Sequence, residues 1–210
     1  MSKLVDKYFS TLDLKAIESA VKQAESNSSG EIAVTIVTRS HHWLWERIGI
    51  ASIGSLVAMV VALWISHTDD WGSYYNFTQG LVWGVVGFAA MYFSYRSLFM
   101  RTERKRVMVW AHALEHFAKL TPTTGQTGVL VFVSLEESHS AVVADKAIAE
   151  KLPEEYWHTP QATIMAGLKA NKHAEGIIAA VDLIGAELAR HFPRRPDDKN
   201  ELPDGVRIDR

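Results

Sequence analysis

The chain has 210 residues, a formal net charge of −2 and no cysteine. Disulfides, thiolate metal sites and cysteine nucleophiles are therefore excluded, and the near-balanced charge gives no electrostatic reason to expect a nucleic-acid partner. Its hydrophobic content of 48% is unevenly spread, with two uncharged apolar stretches in the interior and polar, mixed sequence on either side.

In chain order, the first residues, Met1 to Asp13, carry charges and no apolar core, which is not the pattern of a cleaved secretory signal. Leu14, Ile17, Val21 and Ala24 then recur at helical spacing, with Lys15, Glu18, Lys22 and Glu25 on the wet side, predicting a helix over Leu12 to Ser26. Asn27 to Gly30 stop it. Glu31 to Arg39 is rich in valine, isoleucine and threonine, with apolar residues at both odd and even positions, as in a strand covered on both faces.

Ile48 to Ile65 and Trp71 to Tyr95 follow, each without a charge and each near the length a helix needs to cross about 30 Å of hydrocarbon. Arg39 and Arg47 precede the first and Arg96, Arg101, Arg104, Lys105 and Arg106 follow the second, whereas the link between them carries only Asp69 and Asp70. That bias predicts a two-pass hairpin with both chain ends in the cytoplasm. Trp45, Trp64, Trp71, Tyr74 and Tyr75 suit headgroup belts. Arg101, Arg104, Lys105 and Arg106 suit contact with membrane lipid. Gly80, Gly84 and Gly87 allow close helix packing, either within the hairpin or across a homodimer contact. Neither apolar core holds the ionisable residues an ion pathway needs.

Helical spacing resumes over Glu103 to Leu120, with Val107, Ala111, Leu114 and Ala118 as the expected buried side. After a turn over Thr121 to Gln126, Thr127 to Leu135 reads as a second apolar strand, and Glu136 to His139 return the chain as a hairpin into Ser140 to Asp145. A short helix over Ala147 to Lys151 precedes Pro153. Thr159 and Pro160 have the form of a cap and first helical residue, opening a helix to about Lys172. Ile177, Val181, Ile184, Leu188 and Phe192 mark a last helix over Ala174 to Phe192, and three prolines punctuate a polar tail with little core potential. The predicted architecture is α/β, a small mixed sheet with helices on its faces and its first two strands parallel. It comprises residues 1–42 and 100–195 as one discontinuous cytoplasmic domain, 43–99 as an inserted transmembrane hairpin, and 196–210 as the tail.

Two constellations carry chemistry. His112 and His116, four apart on one helix face with Glu115 between them, have the form of an inverted zinc-hydrolase motif, for which Glu187 is a remote third ligand. The plainer reading is that His112, Glu115, His116 and Lys119 form the solvated side of the helix. Asp145, at a strand end and beside Lys146, is the best candidate for holding a hard cation, Ca2+ or Mg2+, that would orient a water for phosphate-ester hydrolysis. Its plainer reading is a helix cap. Tyr156, Trp157 and His158 either line a pocket or seal the domain edge, and Glu136, Glu137 and His139 read as hairpin polarity.

Gly30-Glu31-Ile32, Thr127 through Ser134, Ala144-Asp145-Lys146-Ala147-Ile148 and Asn200-Glu201-Leu202-Pro203-Asp204 together resemble the TPM domain family, the thylakoid-lumen-phosphatase-like proteins, and within it the bacterial membrane branch. The resemblance covers most of the water-soluble part and implies a three-layer α/β/α sandwich at the bacterial inner membrane. Some members of that family are described as weak acid phosphatases or calcium binders that use carboxylates at strand ends. Here Gln126 and Thr127 stand where many of them place aspartate and asparagine, which leaves Asp145 as the matched acidic position. Other members act in assembly or quality control of membrane complexes. The resemblance therefore implies an interaction module for membrane-associated proteins, with the phosphatase and the zinc hydrolase as alternatives.

Overall fold

The computed structural model describes residues 3–40, 43–67, 73–99, 102–120, 123, 125–195 and 200–209. The expected outer-loop residues Asp69 and Asp70, the belt residue Trp71 and the basic residue Arg101 lie outside these. The fold is mixed α/β, and the chain divides into two compact units, one of Met1–Ser40 with Lys105–Arg210 and one of His41–Arg104.

In the first unit, helix α1 (Lys3–Tyr8) leads into α2 (Thr11–Glu25), whose start is fixed by Ser10. The Ser10 hydroxyl accepts the Asp13 N–H at 3.2 Å and the Asp13 carboxylate accepts the Ser10 N–H at 2.8 Å, a reciprocal capping box. These hydrogen bonds hold the Asp13 carboxyl below its ordinary value. The first residues are thus more than a polar lead: Val5 and Phe9 are buried, and His173 stacks on both Tyr8 and Phe9.

Strands β1 (Glu31–Val37), β2 (Gly128–Ser134), β3 (His139–Ala144) and β4 (Arg207–Asp209) form one sheet in the order β3-β2-β1-β4. β1 runs parallel to β2, from Glu31 opposite Gly128 to Val37 opposite Ser134, and β3 returns antiparallel to β2. β1 and β2 are buried along their whole length, which is why both read as near-continuous apolar runs. Alternate residues feed two cores. Ile32, Val34, Ile36, Val129, Val131, Val133 and Val142 pack with Ile17, Val21, Ile177, Ile184 and Leu188 of the helices. Ala33, Val37, Leu130, Phe132, Ala141 and Val143 pack with Val109, Ala113 and Leu202.

Helix α5 (Thr102–Ala118) covers the second face with Val109 and Ala113, and of the predicted stripe only Leu114, with Phe117 beside it, packs against that core. Val109 and Ala113 are buried, while Val107 is 59% exposed. His112 and His116 lie beside the buried stripe, their rings 5.5 and 5.2 Å from that of Phe132. In the sheet Phe132 is flanked in register by the smaller Thr35 and Ala141, and its ring is the one the imidazoles meet.

Helix α6 (Lys146–Ala149) and a 3-10 turn over Glu154–Trp157 precede α7 (His158–Lys169) and α8 (His173–His191). The 3-10 turn runs straight into α7, so Thr159 is helical and caps nothing. α7 and α8 cross at bare backbone: a methyl on Gly167 would meet the Gly176 Cα at 2.7 Å. The C-terminal residues are not an unattached polar tail. Leu202 is 2% exposed, and Arg207–Asp209 pair in parallel with Thr35–Val37. Three residues are too few to show a period in sequence, so the strand exists through its partner.

In the second unit, α3 (Trp43–His67) packs along α4 (Ser73–Phe99). Gly80 abuts Leu63, Gly84 lies opposite Ser55 and Met59, and Gly87 lies against Ala58 and Gly54, so the helices run antiparallel with the three glycines in their own seam. Among the described residues one helix, Leu44–Ile65, is long and apolar enough to cross a membrane, and only 11% of its most apolar window is buried.

Candidate functional site

Asp145 stands where β3 ends, and its carboxylate accepts the Lys146 N–H at 2.8 Å as the N-cap of α6. The carboxylate therefore does the work of a helix cap. Among the described residues no group of three or more histidines, aspartates and glutamates is arranged to hold a metal ion.

His112 and His116 do lie together, with ring centroids 4.8 Å apart, but their surroundings differ from a zinc site and from a wet helix face. Burial, and then His112, hold His116 below the usual imidazole value. The nearest acidic partner, Asp209, comes from β4, with its carboxylate 3.6 Å from His116 Nε2. Glu187 is engaged elsewhere, by Arg190 at 3.2 Å and His191 at 3.1 Å. The pair is thus packing against the sheet and a tie to the C-terminal strand.

Of the basic residues expected to face lipid, Arg104 is held by Glu46 at 3.2 Å. The same carboxylate accepts the Tyr95 hydroxyl at 2.7 Å, and Arg47 lies over the Tyr92 ring while donating to its carbonyl. These contacts clasp one end of the α3–α4 pair. Arg106 is exposed.

Glu137, expected as hairpin polarity, is turned inward. It is 1% exposed, and its carboxylate accepts the Ser134 hydroxyl and, at 3.1 Å, the Ser40 N–H. It secures the β2–β3 turn, where Ser138 adopts φ 50°, to the end of β1. Tyr156 donates its hydroxyl to the Leu183 carbonyl at 2.9 Å and so seals the α8 side. Trp157 and His158 instead line a cleft of about 760 Å³ beside β3, whose other wall includes Val107, Trp110 and Leu114 of α5. Trp110 is 50% exposed there.

The most concentrated electrostatic feature is one that no single stretch of sequence announces. Glu25 at the end of α2, Glu31 at the start of β1 and Asp204 near the C-terminus surround a small cavity of about 90 Å³, together with Lys22, Arg194 and Asn200. Glu25 accepts the Ile32 N–H at 2.8 Å, Glu31 accepts the Leu202 N–H at 3.2 Å, and Lys22 stands 3.9 Å from Asp204. Burial, with Glu31 and Asp204 adding to it, pushes the Glu25 carboxyl up to about 8. The shift favours the protonated form of Glu25. The Gly30-Glu31-Ile32 and Asn200–Asp204 strings hold two of its members, Glu31 and Asp204; their convergence with Glu25 depends on tertiary structure.

No protein-family model matches the chain, and no curated protein does. A solved structure does: the NMR structure of BA42 protein from the psychrophilic bacterium Bizionia argentinensis covers 96% of this chain and 95% of its own, with a TM-score of 0.56 and 21% identity. At that identity the likeness is one of fold.

Proposed function

We propose that this chain is a membrane-anchored, TPM-like α/β module that binds, assembles or monitors other membrane-associated proteins at a bacterial inner membrane. The observation that carries the reading is the outer surface of the α3–α4 pair. Leu56, Val57, Val82, Val85 and Phe93 are 56 to 77% exposed, a concentration of exposed large apolar side chains on one helix pair that a water-facing protein rarely carries. Lipid is the solvent that suits it, as a two-pass hairpin with both chain ends in the cytoplasm. Lys105, Arg106 and Arg101 supply basic charge next to such a hairpin. The α/β unit would fold around the insertion as a three-layer sandwich.

Binding is favoured over catalysis by what the polar groups do. Asp145 caps a helix and the histidine pair packs on Phe132, whereas the cleft beside β3 offers Trp110 and Trp157 as apolar anchors of the kind interfaces use. Tethering at the bilayer raises the effective concentration of such a surface for membrane-bound partners without a tight contact.

The test is photocrosslinking in native membranes from a photoreactive residue at Trp110, with the same residue at exposed Leu12 as control, followed by identification of adducts. A defined membrane-associated protein captured from position 110 and not from position 12 is the expected result. Adducts identical from both positions, or release of the full chain from membranes by alkaline carbonate, would refute the reading.

A further inference from the structure

The C-terminal segment Asn200–Asp209 is held in the manner of a bound peptide. Leu202 enters the second core beside Phe117 and Leu120, in a pocket that Thr123 and Gly128 also line. Its N–H is donated to Glu31, and five residues on the chain pairs with β1, where the Asp209 carbonyl accepts the Thr38 N–H at 3.4 Å. Val206 and Ile208 rest, half-buried, against the first core. The pairing spans only three residues, short for a strand, and its detachment would sacrifice few ladder bonds. Beneath it lies β1, whose sequence from Ile32 to Val37 has no charge and no proline, the devices that protect a permanently free edge.

We propose that Asn200–Asp209 is a displaceable strap that occupies, in cis, a docking groove for an extended segment of a partner protein with the same chemistry: a leucine for the pocket at the end of α5, then a short apolar run that adds to the edge of β1. The occupant seated there is itself the argument for what fits, since main-chain pairing supplies affinity and the leucine pocket supplies selectivity in recognition by strand addition. This deepens the interaction reading by naming the partner's chemistry. The crosslinking that tests that reading is sited at Trp110, so either can fail alone.

The carboxyl cluster sets how firmly the strap is held. The groups facing Glu25 are Lys22 on its own helix, Glu31 on β1, Arg194 after α8 and Asp204 on the strap. Closing the strap brings Asp204 against Glu25 and Glu31, so a proton on Glu25 favours closure. Asp204 is the part of the shift that belongs to the strap, and it raises the Glu25 value, so closure weakens as pH rises toward about 8 and is constant beyond.

The experiment uses the full chain in lipid nanodiscs and a fluorescent synthetic peptide with the sequence of residues 200–209. Three forms are compared: wild type, Leu202→Asp to open the strap, and Thr35→Cys with Arg207→Cys to lock it across register partners, the chain having no other cysteine to interfere. Leu202→Asp should bind the peptide roughly tenfold or more tighter than wild type, as expected when a competing intramolecular ligand is removed, and the oxidised locked form should not bind it. Hydrogen exchange of the strap, corrected for its intrinsic pH dependence, should rise between pH 6 and 8 in wild type and stay flat in Glu25→Gln. If Leu202→Asp fails to fold, locked and wild-type forms still decide: equal binding by the two overturns the proposal. So does the absence of binding by both the wild-type and the opened form, or strap exchange that is pH-independent in wild type.

Discussion

The two units are built from the same residue types and dispose of them in opposite ways. In the α/β unit Ile32, Val34 and Val131 are at most 1% exposed, enclosed between a sheet and its helices. In the helical pair Val57 and Val85 are 56% and 71% exposed, and only the seam between the helices is closed. Valine is stabilising in both places only if the two units meet different solvents. The first gains from leaving water; on the proposed membrane reading the second gains helix contact through small residues and leaves its outer sides to lipid.

The largest expected break in that comparison is a truncation on each side of it. Phe132 is fully buried and carries the rings of His112 and His116, so Phe132→Ala should cost about 4 kcal/mol of stability. Leu56→Ala, on an exposed flank of α3, should cost under about 0.5 kcal/mol. Thermal unfolding in detergent, followed by circular dichroism, measures both. A comparable loss at Leu56 would mean that this flank is covered by protein and not by lipid.

A charge sharpens the point. Val85→Lys places an ammonium in the middle of α4's exposed flank, and in hydrocarbon this should cost about 3 kcal/mol of insertion. The measurement is the fraction of chain recovered in carbonate-washed membranes. Unchanged recovery would show that position 85 meets water or an aqueous cleft.

What the sequence disclosed follows the same division. β1 and β2, their parallel pairing and the β2–β3 hairpin were legible because residues buried on both faces leave uninterrupted apolar runs, and the order of strand, long crossover, strand leaves few topologies. The face of α5 was legible in part: Leu114 and Phe117 do pack against the second core, but Val109 and Ala113 form its centre and Val107 faces out, a rotation that only the shape of the sheet decides. β4 was hidden because Arg-Ile-Asp has no meaning as a strand apart from Thr35–Val37. At the site, Asp145 was legible as a residue at a strand end, with capping as the plainer of its two roles. Glu25, Glu31 and Asp204 were not legible as a set, since long-range folding alone joins the end of a helix, the start of a strand and the chain's last residues.

Glycines compare the units at smaller cost. A methyl at Gly167 meets the Gly176 Cα at 2.7 Å and the Lys172 carbonyl at 2.9 Å, both backbone, so Gly167→Ala should lose about 2 kcal/mol in the α/β unit. Gly87→Ala meets Ala58 at 2.6 Å and the Gly54 carbonyl at 3.0 Å and should separate α3 from α4 by a similar amount. Gly84 has only ordinary contacts, the nearest at 3.5 Å, so Gly84→Ala should be neutral or slightly stabilising through its helix propensity. Denaturation midpoints of the three variants decide this. Equal losses at positions 84 and 87 would place both glycines against something other than α3.

The smallest effect concerns polar groups, which the two units also handle differently. The α/β unit distributes them among caps, turns and the carboxyl cavity, whereas in the helical pair one carboxylate, Glu46, receives both Tyr95 and Arg104. Tyr95 is fully buried, so its hydroxyl needs that carboxylate. Tyr95→Phe should cost about 1 kcal/mol, a typical net value for a hydrogen bond, and Glu46→Gln somewhat more because it also weakens Arg104. In the double variant the Tyr95 contribution should vanish, giving a coupling energy of about 1 kcal/mol in a double-mutant cycle read from thermal unfolding in detergent. Additive losses would mean that the hydroxyl is satisfied by another group. Glu46 would then contribute to the clasp through Arg104, a half-exposed ion pair of the kind that contributes least, beside the Arg47–Tyr92 contact.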